Sequence, residues 1–271
     1  MEAKAFLKRA VPSLITEIEQ KRIIDDWLTR SESLWLERTC SCSLKCSLKP
    51  AEVKLNHISA ITWNCSGSIL AVSYGYKSHE NWCFHESAIA AWSTINLTPK
   101  ECKPDWYFPA VECYVDISFH PSSGKLLAAG LFNGIIQLYE LSTSGGSRLV
   151  DQTTEEKAQP QLKSLHWLCV EANRTYLASC SANGITQLYL FTTERKLKLD
   201  RSFVITQERL PRVIRGSVHS NWPAGIVDLA ILAGGTGDFV AAGPFRKSRP
   251  LCHPIVLFNY NLNPTGVQCT A

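Results

Sequence analysis

Three groups of residues in this chain have types and spacings that could do chemistry. His79, Cys83 and His85 form an H-x-x-x-C-x-H run with Trp82 inside it, and imidazole and thiolate are donors that zinc takes. Cys40, Cys42 and Cys46 form a C-x-C-x-x-x-C run in a serine-rich stretch. Ala233-Gly234-Gly235-Thr236-Gly237 is rich in glycine, as phosphate-cradling loops are. Each falls short as a motif. Structural zinc takes four ligands, commonly in two close pairs, and Cys40, Cys42 and Cys46 have no close fourth partner. Around His79, Cys83 and His85 no acidic second shell is visible. The glycine run lacks the lysine and the following helix of a phosphate loop. There is no nucleophile elbow, no HExxH and no acid pair at a defined spacing. The expectation is therefore a protein that is not an enzyme, with no cofactor and no bound metal. A metal-dependent enzyme or sensor built on either group is the disfavoured alternative. His79, Trp82, Cys83 and His85 are expected to contact a partner, because long loops on rigid scaffolds often carry binding.

The elements that must position these residues are repeated. Residues 58–63, 67–72 and 89–92 spell a pattern that recurs at 114–119, 124–130 and 134–139, and again at 162–167, 176–180 and 184–189. The closing aromatics Trp92, Tyr139 and Tyr189 are 47 and 50 residues apart and the opening aromatics Trp63, Phe119 and Trp167 are 56 and 48 apart, near the period of roughly 40–50 residues of a propeller blade. Val115, Ile117 and Phe119 alternate with Asp116 and Ser118, the period of a strand. Asn133-Gly134 and Asn183-Gly184 sit at equivalent places and predict two-residue hairpin turns with positive φ. These residues are expected to be structural. The first unit departs from the others by a long excursion from Tyr74 to Glu86, which carries the His79–His85 run. A weaker fourth unit spans Ile226–Ile231 and Phe239–Gly243, followed by the strand-breaking Pro244–Pro250. Ile255–Tyr260 could be one more strand without a place in the repeat.

The pattern predicts an all-β, WD40-type β-propeller with about four blades, incomplete because such rings commonly close with more. An N-terminal α-helix should precede it. Leu7, Val11, Leu14 and Ile18 keep helical spacing, and Pro12 fits only near a helix start. The expected organisation is a helical segment over residues 1–37, a linker over 38–57, the partial propeller over 58–243 and an irregular tail over 244–271. The 271 residues carry a net charge of +4 with 45% hydrophobic residues, an ordinary globular balance that argues against nucleic acid. Arg246-Lys247-Ser248-Arg249 is then a solvated loop. No apolar run is long enough for a membrane span, and no signal peptide is visible. The eleven cysteines are scattered and odd in number, which predicts reduced, mostly buried thiols of a cytosolic protein.

The stretch Ile61-Thr62-Trp63-Asn64-Cys65-Ser66-Gly67-Ser68, then Ala71–Gly75, His79, Trp82 and Ala91-Trp92, resembles the first blade of the dynein intermediate chains. Phe119-His120-Pro121 and Ala129–Gly134 continue that resemblance, and Ala3–Arg9 resembles the segment just before the propeller in the cytoplasmic dynein 2 branch. The resemblance covers residues 3–243. The Gly-His and Trp-Asp signatures of regular WD repeats are absent, with Trp92-Ser93, Tyr139-Glu140 and Tyr189-Leu190 in their place. The family's later blades and its light-chain-binding region are not present, so the resemblance implies a truncated or partial chain and no light-chain binding. It further implies a non-catalytic scaffold that binds dynein heavy chain beside a second intermediate chain, serving retrograde intraflagellar transport and cilium assembly. The expected location is cytoplasm, cytoskeleton and cilium, at axoneme and basal body. The alternatives are an intermediate chain of cytoplasmic dynein 1 or axonemal dynein, or a generic WD40 adaptor.

Overall fold

The computed structural model describes residues 57–76, 79, 82–97, 103–142, 147–155, 161–171 and 174–204. It also describes strand segments at 228–231, 239–242, 255–258 and 264–268, and scattered positions at 11, 15, 18, 19, 22, 46–48, 206 and 226. The chain divides into two compact units, Met1–Lys45 and Cys46–Ala271. In the first unit Val11, Ile15, Ile18, Glu19 and Arg22 are helical; the rest of the helix expected over 1–37, with Cys40 and Cys42, lies outside the described residues. So do the glycine run at 233–237 and the basic run at 246–249.

The second unit contains four four-stranded antiparallel sheets among its described residues, each made of strands consecutive in sequence. Sheet 1 is β1 (Ile58–Trp63), β2 (Ile69–Tyr74), β3 (Ser87–Ser93) and β4 (Trp106–Ala110). Sheet 2 is β5 (Tyr114–Phe119), β6 (Leu126–Leu131), β7 (Ile136–Leu141) and β8 (Ser147–Gln152). Sheet 3 is β9 (Leu162–Glu171), β10 (Arg174–Ser181), β11 (Ile185–Phe191) and β12 (Leu197–Val204). Sheet 4 is β13 (Asp228–Ile231), β14 (Phe239–Ala242), β15 (Ile255–Phe258) and β16 (Pro264–Gln268). The first strands line up, β5 touching both β1 and β9, and β9 touching β13.

Period two sorts the core. In β6 and β7, Leu127, Ala129, Leu131, Tyr139 and Leu141 pack with Ile69, Ile89, Trp106 and Phe108 of sheet 1. The alternate residues Leu126, Ala128, Ile136 and Leu138 pack with Leu162, Leu165, Trp167 and Leu177 of sheet 3. Sheet 2 is therefore buried on both faces, which is why β6 reads as a continuous small and apolar run. A register shift between Tyr114 and Asp116 lets Tyr114 and Ile117 face the same cluster. Polar bonds stitch the sheets together. Asn64 Nδ2 donates to the Gly124 carbonyl at 3.0 Å, and its Oδ1 accepts from the Ile69 N–H at 3.0 Å. Asp116 Oδ2 accepts from the Leu165 N–H at 2.7 Å, and Trp167 Nε1 donates to the Ser118 carbonyl at 3.0 Å. Asp228 repeats the local bond of Asp116, accepting from its own following N–H at 2.8 Å where Asp116 has 2.9 Å. The fourth unit thus follows the second in detail.

The structure corrects four expectations. The Asn-Gly pairs do not form two-residue turns. The Gly134 N–H donates to the Leu131 carbonyl and the Leu131 N–H to the Ile135 carbonyl, so the loop holds three residues and only Gly134 (φ 91°) is left-handed. Ser181–Gly184 repeats the turn with Gly184 at φ 76°, and Arg195 occupies the same position at φ 61° between β11 and β12. Second, the tail expected to be irregular beyond residue 243 supplies β15 and β16, antiparallel partners of β14 and of each other. Prolines at 244 and 250 lie before these strands rather than inside them. Third, each sheet has a fourth strand that the repeat did not reveal. β8 and β12 are edge strands with largely exposed side chains and no fully buried residue, so they carry only a weak core signature. Fourth, Trp63 is not core. It is 53% exposed, whereas its counterparts Phe119 and Trp167 are 6% and 8% exposed. Those two are covered by the preceding sheet; β1 is in the first.

Gly134→Val should destabilise sheet 2 by about 1–3 kcal/mol, because a β-branched residue resists the left-handed region. Urea unfolding checks this, and an unchanged midpoint would mean the turn tolerates a side chain there. A second prediction concerns His120, whose Nδ1 accepts the N–H groups of Ser122 and Ser123, both at 3.1 Å, while its ring meets the edge of Trp167 at 4.7 Å. Burial lowers its pKa, as it does that of His166. The unfolded imidazole titrates near about 6.5 and the folded one lower, so between those values the unfolded chain binds more protons. Stability should be full above that window and fall as pH drops through it. His120→Asn, which keeps an acceptor but not the titration, should flatten the decline in melting temperature.

Candidate functional site

The long excursion between β2 and β3 returns onto the crossing from sheet 1 to sheet 2. Gly75 makes the approach possible. Its N–H donates to the His57 carbonyl at 2.9 Å, and a Cβ there would stand 3.0 Å from the Tyr114 carbonyl oxygen and 3.2 Å from Cys113 Cβ. Cys113, in the turn just before β5, lies fully buried beneath the loop. Its N–H donates to Cys83 Sγ at 3.2 Å, and its own Sγ accepts from the Tyr76 N–H at 3.3 Å. Cys83 Sγ stands 3.7 Å from His85 Nδ1. The His79 ring lies 4.2 Å from Phe132 and 5.4 Å from His85, and Tyr76 lies 4.5 Å from His57 and 4.7 Å from His85.

The loop therefore brings three of its four singled-out residues together. One donor atom from each of His79, Cys83, His85 and Cys113 lies within 4.8 Å of every other. Trp82 is not among them; it is 66% exposed, with Phe84 beside it also exposed. Cys113 supplies a fourth donor across the sheet junction. Nothing in the local sequence pairs residue 113 with residue 83, and only the fold juxtaposes them. Both nitrogens of His79 are buried without a hydrogen-bond partner among the described residues. Burial pushes the Cys113 thiol up to about 12, opposed by the Tyr76 N–H and assisted by Cys83 and Glu112. Burial first, then the charge of His85 and Lys163, lowers the pKa of His79.

The six described cysteines are all free thiols, and the buried ones are Cys83, Cys113 and Cys180. Cys46, Cys65 and Cys169 are not buried, so burial is less general than expected. Beside the cluster an open cleft of about 930 Å³ is lined by Glu86, Val111, Glu112, Tyr114, Gln137 and Glu155, among others. Two of its lining residues, Tyr114 and Gln137, bond to Tyr139, whose Oη donates to Gln137 Oε1 at 2.7 Å and stands 3.0 Å from Tyr114 Oη. Burial pushes both phenols up, which suits these tyrosines to structure rather than proton transfer.

No protein-family model matches the sequence. The human cytoplasmic dynein 2 intermediate chain 2 is 25% identical over 232 residues, 79% of this chain and 41% of its own length. The mouse protein of the same name is 24% identical over 221 residues, 78% of this chain and 40% of its own. The chain is a relative of the dynein intermediate chains. It spans about two fifths of the length of these relatives. Among solved structures, Sqt1 of Saccharomyces cerevisiae, a WD40-type fold, matches with a TM-score of 0.52 at 13% identity, over 78% of this chain and 49% of that one. That likeness concerns the fold alone. The relation to the dynein intermediate chains accords with the four-sheet arrangement and with the resemblance carried by residues 61–134.

Proposed function

We propose that this chain is a non-catalytic scaffold subunit of a dynein motor, serving as the intermediate chain does in cytoplasmic dynein 2. The observation that carries this reading is the sequence relation over 79% of the chain. In this reading the four sheets are consecutive blades of an incomplete WD40-type propeller, preceded by the N-terminal helix. The stack offers a rigid surface, which loses little entropy on binding. The partners are a dynein heavy chain and a second intermediate chain, and ATP hydrolysis belongs to the heavy chain. The places of action are cytoplasm, cytoskeleton and cilium, where the motor supports retrograde intraflagellar transport and cilium assembly. Light-chain binding is not assigned. Exposed Trp82 and Phe84, on a loop anchored by buried Cys83, are the contact residues favoured by their exposure, since aromatic side chains dominate interface energetics.

Affinity purification of the tagged chain from ciliated cells is the test. Dynein 2 heavy chain should lead the recovered proteins, and a Trp82→Ala, Phe84→Ala double variant should recover at least about tenfold less, the loss expected when hot-spot aromatics are removed. Recovery of dynein 1, of axonemal dynein or of a complex without any dynein heavy chain in its place would replace this reading with the dynein 1, axonemal or generic-adaptor alternative.

A further inference from the structure

We propose that His79, Cys83, His85 and Cys113 form a structural zinc site that ties the long loop of sheet 1 to the start of sheet 2. Two thiolates and two imidazoles are the donor set of closed, four-coordinate zinc. In a tetrahedral site with ordinary Zn–S and Zn–N bonds, ligand atoms stand roughly 3.3–3.8 Å apart. Cys83 Sγ and His85 Nδ1 are already at 3.7 Å, and no pair exceeds 4.8 Å. Closing the set therefore takes side-chain rotations of an ångström or so and no movement of a strand.

Three further observations fit a cation. Each sulfur already accepts a backbone N–H, Cys83 from Cys113 and Cys113 from Tyr76. Such bonds favour thiolate, and outer-shell bonds of this kind orient metal ligands. His79 has both ring nitrogens buried without a hydrogen-bond partner among the described residues, an arrangement that a metal on one nitrogen would relieve. Zinc with two thiolates carries no net charge, so the site suits its partly buried setting, with Cys83 and Cys113 buried and the rings of Phe132 and Tyr76 beside the histidines. A divalent cation also reverses the protonation logic of a buried thiol, since a coordinating thiol is deprotonated outright. Binding should release one proton from each cysteine into solvent.

Four protein donors leave no open position, so the site is structural rather than catalytic. It would clamp the loop that presents Trp82 and Phe84, and it would add a metal link to the packing and hydrogen bonds that already join sheets 1 and 2.

The test is elemental analysis of the full-length chain expressed with zinc supplementation, purified under reducing conditions and desalted without chelator. About one zinc per chain is expected for a closed four-ligand site. His85→Ala, whose side chain is exposed and whose loss spares the core, and Cys113→Ser should each retain at least about fivefold less zinc. Cys65→Ser, an exposed thiol elsewhere on sheet 1, should retain all of it. Cobalt should replace zinc with visible d–d bands of tetrahedral geometry, absent in His85→Ala. Zinc below about a tenth of an equivalent in monodisperse wild-type chain would overturn the site, given how tightly structural zinc is held. So would equal loss in Cys65→Ser, or a Cys83–Cys113 disulfide found by mass mapping of protein purified without reductant.

Discussion

Replacing Trp92 with alanine is expected to cost the folded chain about 3–5 kcal/mol, the range for removing a large buried aromatic. A domain's entire stability is on the order of 5–15 kcal/mol. Trp92 is completely buried in β3, opposite Leu70 of β2. Its ring gathers Val72, Tyr74 and Ala90 with the partly buried Leu48, Leu70, Leu97 and Tyr107. These lie apart from the sheet 1 residues that pack against sheet 2. The strand-borne neighbours can close the cavity that alanine would leave only in part, so the cost should sit high in its range. Urea unfolding followed by circular dichroism measures it without relying on the fluorescence of the removed residue. Trp92→Phe should lose much less. A loss of under about 1 kcal/mol for alanine would place the ring outside the cooperative core, against its burial.

The second large effect is expected at Gly130. An ideal Cβ there would stand 2.7 Å from Leu162 Cδ2 and 2.9 Å from Leu165 Cδ1. Both leucines are buried in β9. This glycine is not in the left-handed region, so the requirement is space between sheets and not backbone freedom. Gly130→Leu should cost about 3 kcal/mol or more, beyond the usual range for overpacking, because its first side-chain atom already lacks room. Gly130→Ala should cost less, and Leu162→Ala combined with Gly130→Leu should recover part of the loss. Additive losses in that pair would show that the sheets part by some other route.

Much of this was legible in residue order. Ile117 and Phe119 alternate with Asp116 and Ser118, and that alternation survives as a strand whose polar positions bond to sheet 3. The Val227-Asp228-Leu229 echo of Val115-Asp116-Ile117 foretold β13. What escaped shares a physical cause: its signal was not local. Cys113 joins His79, Cys83 and His85 only through the closeness of Gly75 to Tyr114. β8 and β12 face solvent at sheet edges and so lack a buried stripe. Trp63 carries the same aromatic as Trp167, yet burial depends on the neighbouring sheet, which the residue itself does not encode. The Asn-Gly turns were placed correctly and given the wrong loop length, because glycine at φ > 0 serves both a two-residue turn and a three-residue loop.

Among the described residues every sheet is assembled from four successive strands, and its main contacts outside itself are with the sheets next to it in sequence. That arrangement has a kinetic consequence. Each strand pairs with one adjacent in sequence, so loop-closure entropy should not be the main barrier to forming any one sheet. Each completed sheet then presents a finished apolar face on which the next can condense, an order that suits synthesis from the N-terminus. Folding should advance as a wave along the polypeptide. A slowing substitution in sheet 1, such as Trp92→Ala, should delay protection of the β6 amides in pulsed hydrogen exchange, while one in sheet 4 should leave them on time.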